Sequence, residues 1–444
     1  MGAGNNFLHC PQLYRNSPTP LGRNTVQAGE RDSGSRPFGR ITGMFNGKIM
    51  ALAVAALLGA GPARAAVVTG LDAAESTDFE MFAGKRVGLV TNHTGLNAAG
   101  RSGVDAMFAS KKARLVAIFS PEHGFRGNAA DGEVINNSTD PVTGLPIYSL
   151  YGKTHRPTSA MLAGIDVLVF DIQDVGARFY TYLTTMALCM EEAGKRKIPF
   201  VVLDRPNPIS GMVLEGPVLS KNIQDFTGYF PVPVRHGLTA GEMALLHKDI
   251  RNIAVDLSVV KLQGWDRASF YGDTGLAWVN PSPNIRGVDA AIMYPGIGGF
   301  ESTNMAVGRG TDSPFLWFGA PWLNAERLVA TLNAADLPGV RFRVENKTPE
   351  LAIYAGKLCH GVRMEITDRA AVRPMDIFVL AVSALRDRTY YREFRFDEAA
   401  LRLIAGNNVY KAIFESKDPP EKIMADFRAQ CAAFDKLRGR YLLY

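Results

Sequence analysis

The sequence predicts an α/β protein, with a parallel sheet flanked by helices over residues 66–279 and a smaller α+β domain over residues 280–444. Three observations carry this. Short apolar or β-branched runs recur at 87–90, 115–119, 167–170 and 200–203, with helical patterns between them. Each run ends in a loop dense in polar side chains, as the carboxyl ends of strands do in ligand-binding α/β sheets. Near residue 280 the alternation stops at a turn-rich junction, Asn280-Pro281-Ser282-Pro283-Asn284.

Residues 1–65 read as a leader and secretory signal rather than part of a domain. Residues 1–43 are polar and rich in Gly, Pro and Arg. They form a disordered leader or precede a true start at Met44. Lys48, the apolar run 49–58, the Gly61-Pro62 break and Ala63-Arg64-Ala65 then follow in signal-peptide order, so the expected location is periplasmic or secreted. A membrane-tethered N-terminus is the alternative. The net charge of +6 owes most to residues 1–65, which hold seven Lys/Arg against two Asp/Glu. The remainder is close to neutral, which argues against a nucleic-acid partner. Outside the leader, Cys189, Cys359 and Cys431 are too widely spaced for a disulfide framework or a C-x-x-C metal pair.

Helices are expected near 101–112, 158–164 and 181–197. The last places Leu183, Met186, Ala187 and Met190 on one face and Glu191, Glu192, Lys195 and Lys197 on the other. A fifth short run, Pro233-Val234, leads into Arg235-His236-Gly237. Past residue 280 the reading is irregular over 294–322, with strands at 340–344 and 362–367 and helices near 375–387 and 417–438. The aromatic end Tyr441-Leu442-Leu443-Tyr444 is expected to pack down. No G-x-G-x-x-G or G-x-x-x-x-G-K-[ST] follows a strand, and Gly296-Ile297-Gly298-Gly299 reads as a tight loop, so no nucleotide cofactor is expected.

The candidate site gathers the loops after the strands. Ser120-Pro121-Glu122-His123-Gly124 sets a carboxylate and an imidazole on a Pro/Gly-shaped turn. Glu122 is the leading catalytic candidate, with a loop salt bridge as its alternative; His123 is its partner, a structural hydrogen bonder or a metal ligand. Asp171, Asp174 and Arg178 have the spacing of one helical face, which suits an Asp–Arg ion pair or a catalytic carboxylate beside an anion-binding arginine. Tyr180 suits stacking on a sugar ring or burial in the core. Asn92, His93, Asn207 and His236 can hydrogen-bond substrate hydroxyl or amide groups. Glu301 and Arg309 lie in a second polar loop, where Arg309 between glycines suits an anion contact.

Several of these motifs, in order, resemble the NamZ-type exo-β-N-acetylmuramidases. They are Leu89-Val90-Thr91-Asn92-His93-Thr94-Gly95, Ser120-Pro121-Glu122-His123-Gly124, the segment 171–182, and Asp204-Arg205-Pro206-Asn207-Pro208. Glu215-Gly216-Pro217, His236-Gly237-Leu238-Thr239, Gly308-Arg309-Gly310-Thr311 and Gly319-Ala320-Pro321-Trp322 agree, and the likeness covers nearly all of 68–444. It implies a Rossmann-like catalytic domain, an auxiliary C-terminal domain, and release of terminal N-acetylmuramic acid from peptidoglycan-derived disaccharides and muropeptides. It also implies that Glu122 is catalytic. Ser302 departs from the pattern, where Phe-Glu-Gly is expected. In glycoside hydrolysis Glu122 would protonate the leaving oxygen, with Asp171 or Asp174 as second carboxylate or with the substrate acetamide assisting. Arg178 or Arg309 would meet the lactyl carboxylate. The alternatives are a metal-dependent hydrolase using His93, His123, His236 and an Asp, which lacks any tight ligand spacing, and a sugar-binding protein without turnover.

Overall fold

The computed structural model describes residues 66–126, 133, 136–220, 223–406, 409 and 411–444; the leader and signal readings lie outside them. The first sheet contains β1 (Arg86–Thr91), β2 (Arg114–Ser120), β3 (Ser138–Thr139), β4 (Pro146–Ser149), β5 (Val167–Asp171), β6 (Phe200–Leu203) and β7 (Leu257–Val260). Its order is β3-β4-β2-β1-β5-β6-β7, parallel throughout except for β3 on β4. All four expected strands are present and sit side by side at its centre. The Pro233-Val234 run is not a strand; Arg235 instead makes isolated bridges to Ala177 and Glu215.

Side chains alternate between two apolar layers because successive strand residues face opposite ways. Phe119, Leu168, Phe170, Phe200 and Val202 point to one core, while Val87, Leu89, Ile118, Val169 and Leu203 point to the other. Helices α1 (Gly70–Glu75) and α2 (Gly103–Phe108) cover the second layer; α3 (Tyr182–Lys195) and α4 (Ala240–Ile250) cover the first. Both faces being covered explains why these strands read as continuous apolar runs.

Segment 158–164 is a string of turns rather than the expected helix, ending at Gly164 in the left-handed region. The expected polar face of α3 is largely covered too. Glu191 accepts hydrogen bonds from Tyr229 and Arg156 and meets His247, and Glu192 is held by Lys195 and Arg196. Helix α4 starts with a capping box, Thr239 with Glu242, a signal readable as T-x-x-E in the sequence.

The second half holds α5 (Val288–Ile297), β8 (Trp317–Ala320), α6 (Ala325–Ala334), β9 (Val340–Val344), β10 (His360–Ile366), α7 (Pro374–Leu385), α8 (Glu398–Ala405) and α9 (Pro420–Arg438). Its sheet is antiparallel, in the order β8-β10-β9. The stretch read as irregular thus contains a helix and a strand, and the glycines read as a tight loop end α5. They serve packing: a Cβ on Gly296 would lie 2.0 Å from the Pro374 carbonyl oxygen, so only glycine lets α5 and α7 meet. One apolar cluster runs from Phe170 and Met186 under the first sheet through Ile292 and Phe300 to Phe378 and Phe427. The aromatic end packs down as expected, with the Tyr444 hydroxyl donating to Asp204 Oδ2 at 2.8 Å and accepting from the Leu262 amide.

Gly296→Ala should lower the unfolding free energy by at least about 2 kcal/mol in urea titration, because the methyl must displace a backbone carbonyl. Gly272, whose Cβ position is open, is the control. Gly272→Ala should stay within about 0.5 kcal/mol of the parent.

Candidate active site

The site forms where the central strands deliver their loops to one edge of the sheet. The spine is segment 171–182, which leaves β5, crosses this edge and enters α3. It is pinned at Gly176, whose carbonyl accepts the His236 amide, and at Arg178, whose amide donates to Val234. Asp174 lies near its start and Thr181 at its end.

Glu122 is half-buried, and its Oε2 accepts the Thr181 hydroxyl at 2.6 Å. Thr181 is the N-cap residue of α3, a position where a threonine hydroxyl usually accepts a helix amide. Here it makes no capping bond and orients Glu122 instead. The turn carrying Glu122 has two successive left-handed residues, His123 at φ 68° and Gly124 at φ 76°. A buried histidine in that conformation costs of order 1 kcal/mol or more, and such strain concentrates at functional sites. The His123 ring packs edge-on against Tyr182, with centroids 6.4 Å apart.

Tyr182 also donates to the Pro281 carbonyl at 2.6 Å, and His93 Nε2 donates to the neighbouring Asn280 carbonyl at 2.8 Å. The Pro-rich junction is therefore strapped across the site from two strand loops. Burial, joined by the positive potential of His123, holds the His93 imidazole below its usual pKa. Neutral His93 with its proton on Nε2 presents Nδ1 as an acceptor.

Asp174 accepts the Gly176 amide on Oδ2 at 2.7 Å, and the same oxygen lies 3.6 Å from His236 Nε2. His236 Nδ1 accepts the Leu238 amide, so in the neutral ring the proton resides on Nε2, facing Asp174. Asn92 accepts from Thr94 through Oδ1, and Gln173 spans the carbonyls of Asp174 and Pro206. Asn92 Nδ2, His93 Nδ1, Gln173 Oε1, Asp174 Oδ1 and His236 Nε2 are all buried without a hydrogen-bond partner among the described residues. Each such atom left unmet costs about 1–3 kcal/mol, and five in one set of loops single this region out as the candidate site.

Other candidates are occupied differently. Asp171 is fully buried and paired with Arg205 through both carboxylate oxygens, at 2.6 and 3.0 Å. Arg178 is buried, its guanidinium donating to the carbonyls of Pro217, Val232 and Ile404, and burial pushes its pKa down to about 9. With those N–H groups given to backbone, Arg178 is a structural cross-link and not the anion contact expected of it. Asn207 donates to Leu238 and accepts from Ile209, which fixes its own loop. Tyr180 is buried against Tyr182 and Tyr294, with centroids 4.7 and 5.9 Å away. Tyr294 in turn packs on Phe315, over which the Arg309 guanidinium lies at 5.2 Å, ion-paired with Glu301. Ser302 turns inward, its hydroxyl donating to the Gly299 carbonyl, so its side chain does not reach a substrate loop.

Tyr182, like Tyr180, reads from the sequence as a sugar-stacking or core residue; Thr181, Gln173 and Arg205 are the residues that sequence reasoning did not single out as site residues. Only the adjacency of Thr181 to the start of α3 signals a polar role.

Two family models match consecutive stretches of the chain. Residues 87–289 match "Exo-beta-N-acetylmuramidase NamZ, N-terminal" and residues 292–444 match "Exo-beta-N-acetylmuramidase NamZ, C-terminal". The chain is similar to the peptidoglycan β-N-acetylmuramidase NamZ of Bacillus subtilis strain 168, with 41% identity over 379 residues, 85% of this chain and 91% of that protein. Two solved structures of DUF1343 family proteins from Bacteroides fragilis NCTC 9343 share the fold. One has a TM-score of 0.80 at 35% identity, covering 86% of this chain and all of that one; the other has 0.70 at 29%, covering 85% and 99%. Fold and matches together define an α/β glycoside hydrolase. The chain belongs to the NamZ family of exo-β-N-acetylmuramidases.

Thr181→Val should lower kcat about tenfold with little change in KM, the effect of losing one bond to a carboxylate. Because Thr181 makes no capping bond, its melting temperature should stay near the parent's, and Thr181→Ser should restore most of the rate.

Proposed function

We propose that the chain releases terminal N-acetylmuramic acid from the non-reducing end of peptidoglycan fragments, with Glu122 as the proton donor to the leaving oxygen. The observation that carries this is Glu122 itself. It stands on a strained turn at the strand edge, oriented by Thr181, in the same set of strand-end loops that carries buried polar atoms without a partner among the described residues. Protonating a sugar leaving group needs a carboxylic acid held at a fixed angle.

Asp174 is the second carboxylate in this reading. Unlike Asp171, it keeps one oxygen without a partner among the described residues, and His236 lies beside the other. Through that oxygen it acts on the anomeric carbon, on water, or on the 2-acetamido group of the sugar. Asn92, His93 and Gln173 complete the polar wall. Arg309 supplies the cation for the lactyl carboxylate, reached along the aromatic row Tyr180, Tyr294 and Phe315. Disaccharides and muropeptides are the substrates in view. Export to the periplasm or beyond is part of the same proposal; it rests on the signal pattern at 44–65, and N-terminal sequencing of the mature protein beginning at Ala66 would support it.

The test is release of a chromophore from an aryl β-N-acetylmuramide beside the aryl β-N-acetylglucosaminide, with a natural muramyl disaccharide in parallel. Glu122→Gln should lower disaccharide turnover by more than about a hundredfold, and less on the aryl glycoside, whose leaving group needs little protonation. Arg309→Ala should raise KM for the muramide alone. Tight sugar binding with no turnover of any substrate would overturn the hydrolase reading in favour of a binding protein. Activity abolished by a chelator and restored by zinc would favour the metal-dependent alternative.

A further inference from the structure

The C-terminal half contains a second candidate site, in a cavity of about 600 Å³ between α6, the end of α7 and the segment Lys411–Glu415. None of its lining residues comes from the loops around Glu122. Its size falls within the range of small-molecule pockets.

Its charge is one-sided. Arg327, Arg386, Arg388 and Lys417 line it against one carboxylate, Asp387. Arg386 donates to the carbonyls of Ile413 and Asp418, Arg388 donates to that of Phe394, and Arg327 lies 3.4 Å over the Tyr390 ring. Those partners are backbone dipoles and an aromatic face, so no carboxylate among them neutralises the cations. A second observation is independent of charge. Ser383 and Tyr391 line the same cavity, are 8% and 2% exposed, and each holds a buried hydroxyl with no hydrogen-bond partner among the described residues. A helical serine ordinarily returns its hydroxyl to the preceding turn, and Ser383 does not. Apart from Thr331, the remaining wall is apolar, from Ala384, Ile413 and Phe414.

Guanidinium forks and hydroxyl donors beside an apolar wall recognise an oxyanion carried on an apolar body. We propose that this cavity binds a small ligand of that class, a carboxylate or phosphate monoester with an apolar substituent, at a site separate from the hydrolytic one.

Titration calorimetry on the full chain tests it with phenyl phosphate, benzoate and inorganic phosphate. Phenyl phosphate or benzoate should bind more tightly than inorganic phosphate, and whichever is tighter identifies the anion. The combined Arg327→Ala and Lys417→Ala variant should weaken that binding by about tenfold or more. Tyr391→Phe and Ser383→Ala, which keep the fold's packing, should weaken it by a smaller factor. Hydrolysis of the aryl muramide without added ligand should be unchanged in all of them. The proposal is overturned if neither organic anion binds at millimolar concentration, or if binding is the same in every variant.

Discussion

The buried ion pair of Arg235 and Glu215 is the contact on which the arrangement of the site depends. The Arg235 side chain meets Glu215 at 2.7 Å and also donates to the Ile209 carbonyl, while its backbone bridges both Ala177 and Glu215. The other Glu215 oxygen accepts the Met375 amide in the first turn of α7. One pair therefore fixes the spine 171–182, the 209–217 loop and a helix of the second half. Buried pairs seldom add net stability over apolar residues of the same volume, but leaving one member alone is expensive, at about 3–5 kcal/mol. What this pair supplies is register.

That register matters because the spine ends in two adjacent residues with opposite tasks. Thr181 turns towards Glu122 and Tyr182 towards the Pro281 carbonyl. A rotation of the N-terminus of α3 would disturb Glu122 and the strap over the site together. Arg178 prevents such a rotation by tying three carbonyls from separate segments, 217, 232 and 404, to the turn just before the helix. Among the described residues its charge has no carboxylate partner, and the cost of burying it is accepted for a cross-link that no neutral side chain could make to three acceptors.

The central strands were legible because burial on both faces leaves an uninterrupted apolar run, as in Val167 to Phe170. Helix α5 was not. Its Pro295, Gly296 and uniform apolar character imitate a loop, and the reason for the glycine is a carbonyl of α7, which lies some eighty residues away in sequence. Likewise the Glu191 and Glu192 edge of α3 looked solvated, because sequence spacing does not reveal that Tyr229 and His247 cover it. The turn that carries Glu122 was legible from its local Pro and Gly chemistry, whereas its contact with Thr181 was not. Arg178 was misjudged for the converse reason: a cation spaced from two aspartates looks like a ligand for anions, and only tertiary structure brings three carbonyls to it.

Asp171 and Asp174 make the same point more sharply. They are three residues apart, Asp171 ending β5 and Asp174 in the loop that follows, alike in chemistry and both buried. Asp171 has its carboxylate filled by Arg205, so neither oxygen can approach a sugar without breaking a buried ion pair. Asp174 spends one oxygen on the Gly176 amide and leaves the other without a partner among the described residues, within a wall of similarly unsatisfied atoms. Burial alone does not separate a structural carboxylate from a functional one. Saturation does, because only an acceptor with capacity to spare gains more from the substrate than it loses from the fold.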